Sequence, residues 1–247
     1  MTTFYLGLPG EDRPAIWRAL KGTRLGGFVS YITLEANLEL ARSMPYWALD
    51  SGAFSAFTQG TTIDLHKFAD DVKALLASPA PPREVYSLDV IGDWRASLRN
   101  YAALERLGVR AIPTWHLGDP ESMLLDLARG YPKIAIGGIA KLAGPKRVRF
   151  LQQVFERIWP ARVHGFGVMS EAAVMAVPFH SVDAISWSSA FRWGFWKHYG
   201  QKEGYIYLYG IPGDKVDLGV ECRAYERLAS KVAGKWADEL ARLETAR

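Results

Sequence analysis

Residues 134–166 read IAIGGIAKLAGPKRVRFLQQVFERIWPARVHGF, and this stretch decides the fold. A short apolar run, Ile134–Ile136, ends in a glycine turn, Gly137 and Gly138; a helical pattern follows from Pro145 to Ile158, and a second short apolar run spans Val163–Phe166. Strand, helix and strand joined by a connection of this length make a βαβ unit, whose two strands pair in parallel. Pro145 suits the opening of the helix, where its missing amide hydrogen leaves no bond unmade.

The same alternation extends in both directions. Eight candidate strands are expected at Phe4–Leu8, Phe28–Ile32, Tyr46–Leu49, Val85–Leu88, Arg110–Trp115, Ile134–Ile136, Val163–Phe166 and Val182–Ser186. Helical patterns fall between them at Arg13–Leu20, Leu34–Ser43, Asp64–Leu76, Trp94–Leu107, Pro120–Arg129, Pro145–Ile158 and Ser170–Val177, with a last helix from Leu218 onward closing the barrel. Ser170 reads as a capping side chain, and Gly108 and Gly130 as left-handed helix ends. Seven connecting helices and one closing helix predict a single-domain (β/α)8 barrel, the TIM-barrel architecture, over residues 1–247. An open doubly wound sheet is the runner-up, but neither GxGxxG after the first strand nor GxxxxGK[ST] occurs anywhere.

Composition agrees with an ordinary globular chain: 49% hydrophobic and 23% charged residues exclude a disordered one. The single cysteine, Cys222, excludes an intramolecular disulfide and any multi-cysteine zinc site; no metal and no cofactor are expected. The start, MTTFYLGLPGEDRPAIW, lacks the basic and apolar regions of a signal peptide, and no apolar run reaches a membrane span; a cytoplasmic protein without a membrane partner is expected. The net charge is only +4, yet Lys141 to Arg162 holds six basic residues against Glu156 alone. That segment is either a polyanion contact or a solvated helix face.

In a parallel barrel the chemistry sits at the carboxyl ends of the strands. Three carboxylates stand there: Asp50 in YWALDSGAFS, Asp89 in VYSLDVIGD and Asp183 in SVDAISW. An aspartate after a buried apolar run is unfavourable unless it caps a helix, pairs with a cation or does chemistry. Glycine turns at Gly137–Gly138 and in VHGFGVMS (Gly165, Gly167) would let a flat ligand approach the backbone, or simply turn strand into helix. Two carboxylates sharing a substrate can divide attack on a sugar carbon and proton transfer, and a third can read donors on a purine edge. Decarboxylation, isomerisation and sugar hydrolysis use the same residue types.

Motif order narrows this choice. LDSGAFSAF (Leu49–Phe57), SLDV (Ser87–Val90), GGIAKL (Gly137–Leu142), GFGVMSEAAVMAV (Gly165–Val177) and VDAISW (Val182–Trp187) resemble, in the same order, five segments of the tRNA-guanine transglycosylase superfamily, over roughly Pro45 to Trp187. The family's zinc site of three cysteines and a histidine has no counterpart here, Ile91 replaces a cysteine of its second segment, and Ser186, Trp187 and Ser188 replace a proline-threonine-arginine run. The compact, zinc-less chain is most similar to phage and bacterial DNA transglycosylases, which exchange guanine in DNA for a 7-deazaguanine. The resemblance implies Asp183 as nucleophile on the anomeric carbon and Asp50 as general acid and base. It implies Asp89 as reader of the purine, Gly137 and Gly138 as backbone contacts, and Ser51 as a polar contact; Asp93, in the same turn as Asp89, is a rival for the base or equally a cap of the helix beginning at Trp94. A 7-deazaguanine base such as preQ0 would be the small partner, and DNA, or RNA, the large one.

His116, just past Arg110–Trp115, lies at the same face, where it would bind the base from the side or serve as a structural hydrogen-bonder. Trp187, Phe191, Trp193, Phe195 and Trp196, interleaved with Arg192, Lys197 and His198, suit stacking beside phosphates or, alternatively, an aromatic core beneath a long loop. Lys141, Lys146, Arg147 and Arg192 are the expected phosphate contacts, with Trp187 as a stacking surface. A tRNA-exchanging enzyme, a non-catalytic nucleic-acid-binding barrel and a sugar-phosphate isomerase are the competing readings.

Overall fold

The β-rich segment TFYLG forms strand β1, Thr3–Gly7, with all five residues buried. A strand buried on both faces belongs to a parallel sheet covered by helices, and the computed structural model, which describes residues 1–10, 14–188 and 217–245 and the backbone of 195–200 and 204–209, shows one. The other strands are β2 (Gly26–Ser30), β3 (Trp47–Asp50), β4 (Glu84–Val85), β5 (Thr114–His116), β6 (Ile134–Gly137), β7 (Val163–Gly165) and β8 (Ser181–Ala184). Their order in the sheet is β4-β3-β2-β1-β8-β7-β6-β5. A parallel bridge between Tyr86 and Ile112, with Ile112 N donating to Val85 O at 2.8 Å and Ser87 N to Ile112 O at 2.9 Å, joins the two ends. The sheet is therefore a (β/α)8 barrel, as expected from residues 134–166.

Helices α1 (Pro14–Leu20), α2 (Leu34–Ser43), α3 (Ala53–Gln59), α4 (Leu65–Leu76), α5 (Trp94–Arg106), α6 (Glu121–Gly130), α7 (Gly144–Ile158) and α8 (Glu171–Val174) lie between the strands. The expected closing helix is two helices, Leu218–Lys235 and Ala237–Thr245; the first packs on α1 and buries Leu218, Cys222, Tyr225, Leu228 and Val232. Short α3 was not expected, and it is framed by left-handed glycines, Gly52 and Gly60. Strand β5 is shorter than Arg110–Trp115 because Pro113 brings no amide hydrogen to the ladder. Gly108 has the expected positive φ of 82°, whereas Gly130 is the last residue of α6 and not a left-handed cap. Ser170 occupies the N-cap position of α8 without a side-chain capping bond. Residues Phe195–Gly200 and Gly204–Tyr209 form an antiparallel strand pair where a loop was expected.

Side chains separate into two cores. Strand residues facing outward, such as Leu49, Ile136 and Val182, pack with Phe68 and Val72 of α4 and with Leu151, Val154 and Phe155 of α7. The barrel interior holds Tyr5, Phe28, Ala48, Tyr86 and Ala135, with Phe166 against them. Alternation along β8 puts Val182 in the outer core and turns Ser181 and Asp183 inward. Likewise Leu49 faces the helices, while Ala48 and Asp50 face the barrel axis.

Candidate active site

The three aspartates reach the barrel mouth from different strands. Asp50 ends β3, and the next turn is built around it: Gly52, at φ 78°, donates its N–H to Asp50 Oδ2 at 3.0 Å. A Cβ at Gly52 would stand 2.9 Å from both Ser30 Oγ and Ile32 Cγ1, so this turn requires glycine in space as well as in φ. Asp89 is bonded through Oδ2 to His116 Nε2, and Ser51 Oγ lies 3.5 Å from its Oδ1. Ser51 is buried and braces Asp89 rather than standing open to a ligand. Asp183 accepts at Oδ1 from Gly167 N–H at 3.0 Å, and His164 Nε2 lies 3.3 Å from the same oxygen.

Burial dominates the acidities. It raises Asp50 to about 7, the charge of Asp89 adding to it, the Gly52 amide opposing and the charge of Asp183 adding further. It also raises Asp183 to about 7 against the Gly167 amide. Both carboxyls are therefore held well above the usual carboxylate range, which suits proton exchange near neutral pH. For His116 burial lowers the value, but the bond to Asp89 and the charges of Asp89, Asp119 and Asp50 outweigh it and raise it overall.

Other expected site residues divide. A Cβ at Gly137 would fall 2.6 Å from His116 Nδ1, so this glycine exists to let the imidazole lie across β6, and the ring covers the backbone expected to meet a base. Gly138, at φ 75°, is exposed in the turn after β6. Gly165 makes room for Phe179, whose ring a Cβ would meet at 2.8 Å. Asp93 takes the capping alternative, its Oδ1 accepting from Ala96 N at 2.9 Å at the start of α5. Trp187 is corrected outright: it is fully buried, its Nε1–H donating to Gly7 O at 2.8 Å, and presents no stacking surface.

The basic segment is not one patch. Lys141 and Lys146 are exposed near the mouth, in the turn after β6 and the first turn of α7. Arg147 instead ties that turn together through Nη2, which donates to Ala140 O at 2.9 Å and Leu142 O at 3.0 Å. Fifteen residues of α7 extend about 22 Å, so Arg162 is carried to the opposite end of the barrel, where it bonds to Leu243 O, while Arg157, near the end of α7, pairs with Glu121 at the start of α6. Arg192, Phe191 and Trp193 lie outside the described residues.

Several large apolar side chains are left exposed around the mouth: Ile32 after β2, Phe54 (64%) and Phe57 (60%) on α3, Leu117 after β5 and Ile185 after β8. Sequence reasoning did not find His164 or the Gly52 amide, and it read Gly167 as a turn or an approach for a ligand where the structure turns its amide to Asp183. His164 was legible in principle, because its place two residues before Phe166 turns both rings to the interior. Among the described residues no group of three or more His, Cys, Asp or Glu side chains is placed to hold a metal ion, and no helix is long and apolar enough to cross a membrane.

No family model and no curated protein matches the sequence. Solved structures do share the fold. One is described as a putative fructose-1,6-biphosphate aldolase from Coccidioides immitis, with TM-score 0.52 and 12% identity over 99% of this chain and 92% of that one. Another is the E74A mutant of the tryptophan synthase alpha-subunit from Pyrococcus furiosus, with TM-score 0.50 and 12% identity over 96% and 97%. At that identity the likeness concerns the barrel and not its chemistry.

Proposed function

We propose that this chain exchanges bases in a polynucleotide, DNA being the favoured substrate, replacing guanine by a 7-deazaguanine such as preQ0 through a covalent aspartyl-sugar intermediate. The observation that carries the reading is the placing of two carboxyls at one barrel mouth, Asp50 at the end of β3 and Asp183 on β8, near enough that the charge of Asp183 acts on Asp50. Two such groups can share a nucleophile's work and an acid-base's work on one bond. The motif order from LDSGAF to VDAISW supports the division of roles.

In the first half, an oxygen of Asp183 bonds to C1′ as the C1′–N9 bond breaks. The electron pair leaves with guanine, which takes a proton from Asp50. In the second half, the incoming base gives its N9 proton to Asp50, N9 bonds to C1′ and the Asp183–sugar bond breaks. Atoms and protons balance without an outside energy source. Asp50 suits the acid role because the charges of both Asp89 and Asp183 favour its protonated form. Asp89, held by His116 and Ser51, would accept from donors on the guanine edge. The apolar rim, Phe54 and Phe57 above all, would shelter a nucleotide taken out of its stack. An acidic mouth disfavours the sugar-phosphate reading, and so does the covering of Gly137 by His116.

Exchange of radiolabelled guanine into matched DNA and transfer RNA tests the proposal. Exchange into DNA and a protein–nucleic acid adduct on denaturing gels are expected, and both should vanish in Asp183→Ala. An adduct formed by that variant would remove Asp183 from the nucleophile's role. Efficient exchange into transfer RNA with none into any DNA form would move the substrate to RNA.

A further inference from the structure

The barrel interior carries a chain of polar groups that the proposed reaction does not use. At its floor, Lys133 is buried between Glu84, with Nζ 2.6 Å from Oε1, and Ser181, with Nζ 2.6 Å from Oγ. Above Ser181 stands His164, with Nδ1 2.7 Å from Ser181 Oγ, and above His164 stands Asp183, with Oδ1 3.3 Å from Nε2. A TIM-barrel interior is usually filled with branched apolar side chains, so an uninterrupted polar line to a carboxylate at the mouth calls for an explanation.

Donor and acceptor capacities give one. An ammonium group only donates, so Ser181 Oγ accepts from Lys133. The serine's own hydrogen then needs an acceptor, and Nδ1 of His164 is within 2.7 Å. The Tyr86 oxygen also stands beside Ser181, but its hydroxyl hydrogen goes to Glu84 Oε2 at 2.8 Å, and besides Lys133 it is Nδ1 that meets Ser181 Oγ at full hydrogen-bonding geometry. A neutral imidazole that accepts at Nδ1 carries its hydrogen on Nε2, and Nε2 faces Asp183. The ring cannot easily turn: it stacks on Phe28 at 5.4 Å and 10° and lies 4.5 Å from Tyr86 and 4.8 Å from Phe166. Burial, then the charge of Lys133, hold it neutral far below the usual histidine range.

We propose that His164 is a positioning residue for Asp183, fixed by Lys133 and Ser181 in the Nε2–H tautomer so that it donates to Oδ1 and leaves Oδ2 as the reacting oxygen. Oδ1 then receives two donors, His164 Nε2–H and Gly167 N–H, which favour the ionised form and hold the carboxylate plane. Oδ2 accepts no hydrogen bond among the described residues. The charge of the Lys133–Glu84 pair stays at the floor while its orienting effect reaches the mouth through two neutral groups. That Oδ2 is the attacking atom rests on the base-exchange reading; the tautomer and its effect on Asp183 do not.

The test uses the full chain labelled with 15N-histidine and 13C-aspartate. Long-range 1H–15N spectra, with His164 assigned by its loss in His164→Phe, should show hydrogen on Nε2 and none on Nδ1. Ser181→Ala should lose that pattern and raise the titration midpoint of Asp183 by about one unit, the scale of one lost donor to a carboxylate, and Ser181→Thr should restore both. His164→Phe, whose ring suits the aromatic surroundings, should raise the midpoint equally and supplies the measurement if Ser181→Ala does not fold. In the exchange assay both variants should lower kcat and move its acid limb to higher pH with little change in KM. A wild-type Nδ1–H tautomer overturns the proposal, as does a midpoint unmoved in His164→Phe. If no polynucleotide supports exchange while the tautomer and midpoint respond as stated, the base-exchange reading falls and the positioning role stands.

Discussion

Replacing Asp50 by asparagine should make the protein more stable, and by an amount that grows with pH. Folded Asp50 keeps its proton up to about 7, whereas in the unfolded chain the group ionises near the usual 3.8. Between those values the folded state binds more protons, so stability falls as pH rises, by about 1.4 kcal/mol per unit, and levels off above pH 7. The full interval amounts to about 4 kcal/mol, of which about 2–3 kcal/mol falls between pH 5 and pH 8. Asparagine keeps an oxygen to accept from Gly52 N–H and has no proton to lose, so this part of the slope disappears. Asp183, raised in the same direction, remains and leaves the variant with a reduced slope rather than none. Urea unfolding at pH 5 and pH 8 measures the difference: the advantage of Asp50→Asn over the wild type should widen by about 2–3 kcal/mol on going to pH 8. Parallel pH dependences in the two proteins, or a variant less stable at pH 8, would refute the reasoning. The stability gained would be matched by a loss of function, with base exchange slowed at least about 100-fold.

Lys133→Ala should lower stability by about 3–5 kcal/mol, because Glu84 is left buried without its cation; burial raises Glu84, but Lys133 outweighs it and holds the acid at about 2. Denaturant unfolding checks this loss, which should shrink as pH falls from about 4.5 toward 2 and the glutamate protonates in both states. Gly137→Ala should push the His116 ring off Asp89, lowering the His116 titration midpoint read by NMR and stability by about 1–3 kcal/mol. Lys141→Ala and Lys146→Ala should weaken DNA binding alike on every sequence and reduce the salt slope by about one per contact, whereas Arg147→Ala should instead loosen the turn after β6 and lower thermal stability. Binding titrations at several salt concentrations and thermal melts separate the two effects.

The sequence was most legible where one period governs a whole element. Ile134–Gly137 and Val163–Gly165 with the helix between them follow the expected boundaries closely, because a buried parallel strand is apolar on both faces and a crossover helix shows its own pattern. The three aspartates were legible for a related reason: each is an unfavourable residue at the end of such a strand. Trp187 misled because aromatic rings beside cations read alike at a stacking surface and in a core, and only the carbonyl of Gly7, 180 positions away in sequence, distinguishes them. Gly137 misled in the same way, since its reason for being glycine is the ring of His116 on the neighbouring strand.

The polar line through the barrel was hidden at a deeper level. Glu84, Lys133, His164 and Ser181 come from four strands or strand approaches, and apart from His164, which shares a strand face with Phe166, nothing local marks them as buried; Lys133 and Glu84 alone read as surface residues. What brings them together is the parity of each strand against its neighbours, with His164 paired to Ser181 in the β7–β8 register and Ser181 two residues below Asp183. A one-residue slip in either strand would turn the line outward into the helix layer. The apolar outer face, Val163 on β7 and Val182 on β8, therefore fixes the register that aims His164 at Asp183, so that ordinary packing against α7 determines where the Asp183 carboxylate finds its donor.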